Sequence, residues 1–267
     1  MVIATGYNEI LLPPSAEELE QQGVKSLLVI GSGLSAIDLW RQYKDNSDIK
    51  ITFLSRHGLL PLQNQLSTAK PLNFEALVSK SPRQIVSYLR KLKQSGSDWQ
   101  NIADSLRPQV SNIWKSWSQK QRSQFIRHLK TYWEIIRHRI PEVICEDLTQ
   151  DLKTHKLIVK SGRISEIKKL NDKFQVSYEN KNSTQPVSEV YDHFMNVTGY
   201  QINQSLIKAG DIPGVSVCSE GLGYQCDSTL NVWVAGPASK SNLWEITAVP
   251  EIRRQAALIA EGLYQLQ

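Results

Sequence analysis

Two hydrophobic rhythms run along this chain, and each change of rhythm marks an element. Residues 27–30 (Leu-Leu-Val-Ile) form an apolar run of strand length that ends in a turn at Gly31 and Gly33. Beyond the turn Ile37, Trp40 and Tyr43 recur at helical spacing, which predicts an amphipathic helix. Residues 49–54 (Ile-Lys-Ile-Thr-Phe-Leu) alternate and then run apolar, which predicts a second strand. From 80 to 139 the strand signal vanishes: Ile85, Tyr88, Leu89 and Leu92 share one helical face, and Phe125, Leu129, Tyr132, Trp133 and Ile136 share another. A short helix over Glu142–Leu152 precedes strands at Lys156–Lys160, Ile164–Leu170 and Lys173–Glu179, with a turn at Asn171-Asp172 and a polar loop over 180–185. These three strands are expected to form a β-meander. Strands are also predicted at 194–199, ending in Thr198-Gly199, and at 231–237, ending in Gly236-Pro237. The last helix is set to start near Pro250, with Ile252, Ala256, Ile259 and Leu263 on its apolar face.

Strand, glycine turn and helix over 26–38 match the opening of a dinucleotide-binding unit, G-x-G-x-x-A. In such a unit Gly31 permits the tight turn, Gly33 lets the backbone approach a pyrophosphate, and the small Ala36 lets helix and strand pack closely. The segment Gly31, Ser32, Gly33, Leu34, Ser35 and Ala36 would offer helix-terminal N–H groups and a partial positive charge to that pyrophosphate. About 20 residues further on, an NAD site usually carries an acid for the ribose 2′-hydroxyl. Here Ser55 and Arg56 stand at that point, followed by His57. A cation and a hydroxyl suit a 2′-phosphate, so NADP(H) is expected over NAD(H). The alternative is that Arg56 is a solvated cation at a strand end.

Composition narrows the class. The chain has 267 residues, 40% hydrophobic and 21% charged, which fits a globular protein of one large or two modest domains. No apolar run reaches the ~18 residues of a membrane span, and no secretory signal pattern is present, so a cytoplasmic protein without a membrane span is expected. Three cysteines (Cys145, Cys218, Cys226) with no C-x-x-C spacing read as reduced thiols. The net charge of +5 is unevenly spread: between Lys80 and Arg139 there are 13 Lys/Arg against three acids, a local excess of +10. Such a block is either a solvated helical surface or a means of holding NADP phosphates or an acidic substrate. The second reading expects Arg107, Arg127, Arg137 or Arg139 over the mouth of the nucleotide site. No nucleic-acid motif accompanies the charge, so nucleic acid is not expected as a partner.

The ordered set Ala4-Thr5-Gly6, Gly31-x-Gly33-x-x-Ala36, β-meander, Thr198-Gly199, Gly236-Pro237 and terminal helix resembles the two-dinucleotide-binding flavoprotein superfamily, glutathione-reductase-like or flavin-monooxygenase-like. Bacterial FAD/NAD(P)-binding proteins of that group are further echoed in Ser55-Arg56-His57-Gly58-Leu59-Leu60-Pro61, in Asp98-Trp99 through Leu106-Arg107-Pro108, in Arg127-His128-Leu129 through Arg137-His138-Arg139, and in Trp244-Glu245 through Ala248-Val249-Pro250-Glu251. The resemblance implies an α/β fold: a Rossmann-type NAD(P)-binding domain with a helical insertion and a β-meander, plus the C-terminal remnant of an FAD-binding domain. Its expected parts are residues 1–24 as FAD-domain remnant and crossover, 25–61 and 141–199 as the NAD(P) domain, 62–140 as the basic insertion, and 200–267 as the rest of the FAD domain. Thr198 and Gly199 would mark a chain crossing, and Gly236, Pro237, Trp244, Thr247 and Ala248 would line the flavin. Two departures qualify this. No second G-x-G-x-x-G occurs in these residues, so the FAD Rossmann half is expected to be missing or supplied as a separate segment, with FAD held by the complete protein rather than by this chain alone. Pro237 also replaces an Asp that contacts the ribityl chain in many relatives.

Other catalytic constellations are sparse. His128, Glu134 and His138 are separated by 6 and 4 residues, so only the last two share a helical face and no metal site is expected. There is no G-x-S-x-G elbow, and Asp38 and Glu245 read as single surface or capping carboxylates. Hydride transfer from nicotinamide to flavin requires neither. Three functions are therefore open: the NADPH-binding portion of an FAD- and NAD(P)H-dependent oxidoreductase acting on a small-molecule substrate, a nucleotide-binding module or truncated fragment without chemistry, and a basic helical interaction protein.

Overall fold

A computed structural model of the chain describes residues 1–4, 13–45, 48–65, 69–180, 185–199, 212–218, 222–226 and 232–264. In chain order the first half contains β1 (Val2–Ile3), α1 (Ala16–Gln21), β2 (Ser26–Ile30), α2 (Leu34–Tyr43), β3 (Lys50–Ser55), α3 (Pro82–Gln94), α4 (Trp99–Leu106), α5 (Val110–Ser116) and α6 (Gln119–His128). After these come α7 (Lys130–Arg137), α8 (Glu142–Lys153), β4 (Leu157–Ser161), β5 (Arg163–Leu170), β6 (Lys173–Glu179), β7 (Val187–Tyr191) and β8 (His193–Asn196). The last elements are β9 (Val215–Val217), β10 (Tyr224–Cys226), β11 (Trp233–Val234), α9 (Lys240–Leu243) and α10 (Val249–Tyr264). The chain divides into two compact units, one of Leu11–Ser67 with Thr131–Gly199, the other of Met1–Ile10, Thr68–Lys130 and Tyr200–Gln267.

The first of these is built on a parallel sheet in the order β4-β3-β2-β8. Strand β2 is central, and Leu27, Leu28 and Val29 are fully buried in it. Because side chains alternate across a strand, Leu27, Val29, Ile51 and Phe53 join Ile37, Trp40 and Tyr43 in one core, whereas Leu28 and Leu54 meet Val176, Tyr178 and Tyr191 in a second. The second core belongs to an antiparallel sheet β5-β6-β7 that covers the opposite face. Both faces of β2 are thus sealed, which explains its unbroken apolar run. Asp192 ties the sheets to the start of β2: its carboxylate accepts hydrogen bonds from the Lys25 and Ser26 amides at 3.0 and 2.9 Å and from Ser26 Oγ at 2.8 Å.

One expectation changes here. The strand expected at 156–160 is β4, which pairs parallel with β3 and is not part of the meander. The third meander strand is β7, paired antiparallel with β6. Leu157-Ile158-Val159 is an apolar run suited to a covered parallel sheet, and β7 alternates as a half-exposed strand should. Periodicity identifies a strand but carries no information on its neighbour.

The other unit gathers α3–α6 with the segments around α9 and α10. Ser81 and Ser118 start α3 and α6 through capping boxes with Gln84 and Gln121, and Asp98 caps α4. Trp114, buried, stacks on Trp244 at 4.8 Å between ring centroids and meets Phe125 edge-on at 6.0 Å. The Trp114 indole N–H donates to the Ser241 carbonyl at 2.7 Å, so this cluster joins α5 to α9. Strand β1 pairs parallel with β11, and β9 pairs antiparallel with β10. The basic stretch that reads as one insertion is divided between the units at Lys130. The continuous apolar face expected through Phe125, Leu129 and Tyr132 is broken at Leu129, whose φ of −120° leaves the helical range. Phe125 packs on the tryptophans of one unit, and Tyr132 lies 6.1 Å from His57 in the other.

Candidate nucleotide-binding site

The carboxyl edge of the parallel sheet collects most of the residues that the sequence nominates. Chain order reverses at β2, which has β3 on one side and β8 on the other, and open α/β sheets bind ligands at such a point. Gly31 follows β2 directly. Its φ is +123°, and a Cβ on it would meet the Val197 carbonyl oxygen at 3.0 Å and Val197 Cγ2 at 3.1 Å. Glycine is therefore required at 31 by both backbone and space. Gly33 differs: its backbone is extended, and a Cβ there would meet nothing within 4 Å. It borders open space at the N-terminus of α2. No side chain caps this helix and its first turn holds no acid, so its leading N–H groups and positive dipole end are left for an anion. Leu34 is exposed and Ser35 half-buried in that turn, while the fully buried Ala36 packs beneath it.

A chain of hydrogen bonds fixes the loop after β3. The Gly58 amide donates to Ser55 Oγ at 3.0 Å, Ser55 Oγ lies 2.8 Å from Ser32 Oγ, and the Ser32 hydroxyl donates to the Leu59 carbonyl at 2.6 Å. The loop is thereby tied to the glycine turn. Gly58, with φ +62° and a would-be Cβ 3.2 Å from Ser161 Cβ, lets it fold back over the end of β4. Arg56 projects from this loop, exposed, and among the described residues no ion pair or side-chain hydrogen bond engages it. Across β2, Asn196 Oδ1 accepts from the Thr198 amide at 3.1 Å and from its hydroxyl at 2.8 Å, and Gly199 follows at φ +123°. Gly58, Val197 and Asn196 are the site residues that the sequence motif does not reveal. A glycine three residues past a strand end is the only signal among them, and it gains meaning once β4 is in place.

The other nominated residues lie in the second unit. Gly236, at φ +67°, donates its amide to Gln255 Oε1 at 2.8 Å. The Gln255 amide group in turn donates to the Val234 carbonyl at 2.9 Å and to Ser239 Oγ at 2.8 Å, so α10 holds the turn after β11. Pro237 is the second residue of the 3-10 turn Gly236–Ser239. Thr247 is exposed and Ala248 half-buried just before α10, whereas Trp244 is only 3% exposed and belongs to the aromatic cluster. Glu245, expected as a single surface or capping carboxylate, is buried. In the first turn of α10, Glu251 pairs with Arg107 at 2.5 Å. Of the insertion arginines, Arg107 is thus engaged within this unit.

No protein-family model matches the chain, and no curated protein sequence matches it either. Solved structures do. The ornithine N-hydroxylase of Kutzneria sp. 744, determined with reduced FAD, NADP+ and L-ornithine, superposes with a TM-score of 0.59 at 12% identity over 99% of this chain and 63% of its own. L-lysine 6-monooxygenase from Pseudomonas syringae gives 0.58 at 15% identity over 99% and 63%. The bacillithiol disulfide reductase of Staphylococcus aureus gives 0.51 at 12% identity over 100% and 62%. The fold is the Rossmann-type α/β fold of these flavoproteins. This chain spans 63%, 63% and 62% of their respective lengths. Among the described residues no helix is long and apolar enough to cross a membrane.

Proposed function

We propose that this chain carries the NADPH-binding portion of an FAD- and NAD(P)H-dependent oxidoreductase. The observation that carries the reading is the convergence, at the switch point of the parallel sheet, of the Gly31–Ala36 turn, the α2 end without a side-chain cap and Arg56, which has no partner among the described residues. The α2 terminus with the Ser32, Gly33 and Leu34 backbone would hold the pyrophosphate, and Arg56 the 2′-phosphate. Ser55, engaged with Ser32 and Gly58, would position the loop that bears Arg56. NADPH held there would supply a hydride, and FAD in the complete protein would accept it. Gly236, Pro237, Thr247, Ala248 and the positive end of α10 are the residues that would face flavin, with Trp244 anchoring the segment behind them. Strand β1 and strand β11 form a parallel pair only two residues long, and Val249 and Leu258 of α10 are 66% and 63% exposed. Such a surface suits a further Rossmann half, on the same or a separate polypeptide. In support, the Kutzneria protein of the same fold was solved with both cofactors.

Calorimetry with NADPH and NADH tests the nucleotide assignment. One charge-assisted arginine–phosphate contact of about 1.5–3 kcal/mol predicts NADPH binding roughly 10- to 150-fold tighter than NADH, with the preference lost in Arg56→Ala. Equal affinities in the unaltered chain, or a preference that survives Arg56→Ala, would reject it. Hydride transfer is read separately, as anaerobic bleaching of flavin absorbance by NADPH in the FAD-loaded protein. Tight NADPH binding without bleaching would assign the chain to the non-catalytic nucleotide-binding class.

A further inference from the structure

Helices α3 and α6 enclose a groove that shares no residue with the glycine turn. It has a volume of about 670 Å³, within the range of small-molecule sites, and is lined from α3 by Arg83, Val86, Arg90 and Lys91 and from the end of α6 by His128 and Leu129. Arg83, Val86 and Arg90 recur every three to four residues and so share one face of α3, with Lys91 at its edge. Arg83 and Arg90 lie two turns apart, roughly 10 Å along the axis. Neither α3 nor α6 contains an acidic residue. Among the described residues, none of Arg83, Arg90, Lys91 and His128 has an ion-pair or side-chain hydrogen-bond partner, although other cations of the chain, such as Lys44, Arg107 and Lys160, are paired. Beside these cations the groove presents apolar surface at Pro82, Val86 and Leu129.

A concave surface with three basic side chains and no counter-charge stores repulsion that an anion relieves. The apolar wall selects further: inorganic phosphate would gain from the cations but leave Val86 and Leu129 wet, and a neutral apolar molecule would gain only the wall. We infer that this groove binds a small organic anion, an apolar acyl or aryl body that ends in a carboxylate or phosphate. The body lies along Val86 and Leu129, and the anionic end meets Arg90 and Lys91, with Arg83 at the far end of the groove. The site is independent of the NADPH assignment and stands or falls without it.

The test is titration calorimetry of the whole chain with four probes: octanoate, octyl phosphate, 1-octanol and inorganic phosphate. Octanoate or octyl phosphate is expected to bind saturably at one site per chain, and whichever binds tighter names the anionic group. Octanol and inorganic phosphate should bind about tenfold or more weakly. Because Arg90 and Lys91 are exposed, R90Q and K91Q fold as the parent does, and each should weaken the anion about tenfold. K120Q removes an equal charge outside the groove and should leave affinity within about twofold, which separates the site from a general effect of net charge. The proposal is overturned if no amphipathic anion saturates, if inorganic phosphate binds as tightly, if K120Q weakens binding as much as R90Q, or if an oligoglutamate peptide binds where octanoate does not.

Discussion

Gly31 cannot accept a side chain, for two independent reasons. Its φ of +123° is costly for any L-residue, and a Cβ would press on the Val197 carbonyl at 3.0 Å. Gly31→Ala is therefore expected to destabilise the parallel-sheet unit by roughly 1–3 kcal/mol, read as a lowered urea midpoint with an unchanged slope. Gly33 has room for a methyl group, so Gly33→Ala should leave stability nearly unaltered while it weakens nucleotide binding. The pair separates the structural glycine from the one proposed to face the ligand. Asp192 shows the same discipline in its charge. Burial opposes ionisation of its carboxyl, but hydrogen bonds from Lys173, the Ser26 hydroxyl and the Lys25 and Ser26 amides outweigh it and hold the pKa at about 2, below the ordinary 3.8. A carboxylate with a depressed folded pKa contributes stability that is complete above 3.8 and disappears as pH falls toward 2. Asp192→Asn should cost about 1.5–3 kcal/mol at neutral pH and should narrow the gap from the parent as the solution is acidified through that window. A variant as stable as the parent at neutral pH would show that the exposed Lys173 pair and the amide bonds contribute nothing.

Between elements, single polar side chains do the joining. Gln255 of α10 satisfies the Gly236 amide, the Val234 carbonyl and Ser239 Oγ at once. Gln255→Leu removes the partner of the Gly236 amide and of the Val234 carbonyl, both in buried residues, so a loss of about 1–3 kcal/mol is expected in thermal unfolding. Should Gln255→Leu melt with the parent, α10 does not hold the β11 turn. The contrast with β2–α2 explains what the sequence discloses. The glycine turn, both flanking elements and α10 are local in sequence, so period, cap and proline position are enough to find them. The neighbour of β4 is not local: Leu157–Ser161 and Val187–Tyr191 both read as strands, and only the burial of each face decides which joins the parallel sheet. The burial of Trp244 is hidden for the same reason: it depends on Trp114 and Phe125, more than a hundred residues earlier. The α3–α6 groove was equally hidden, because its residues lie in two helices whose pairing no spacing announces.

Across the whole chain, charge and the proposed nucleotide geometry are concentrated in different places. The +10 excess between Lys80 and Arg139 falls mainly in the helical unit, where Thr68–Lys130 groups with Tyr200–Gln267. The glycine turn, Arg56 and Thr198-Gly199 belong to the parallel-sheet unit instead. Net basicity therefore does not identify the proposed nucleotide site; the features that carry it are the glycine at 31 that must stay bare, the α2 end without a side-chain cap, and Arg56, which has no partner among the described residues. Hydrogen exchange resolves the two contributions in a single experiment. A ligand at a hundred times its dissociation constant stabilises the states that bind it by about 2.7 kcal/mol, and the slowing appears in the segments whose opening releases it. NADPH is expected to slow exchange most in residues 31–36, 55–58 and 197–199, whose amides line or brace the turn. NADH should slow the 55–58 segment less than NADPH, since Arg56 is the side chain that tells them apart. If NADPH instead protects Pro82–His128 and leaves 31–36 at its free rate, the basic helices and not the glycine turn hold the nucleotide, and the assignment of the switch-point site fails.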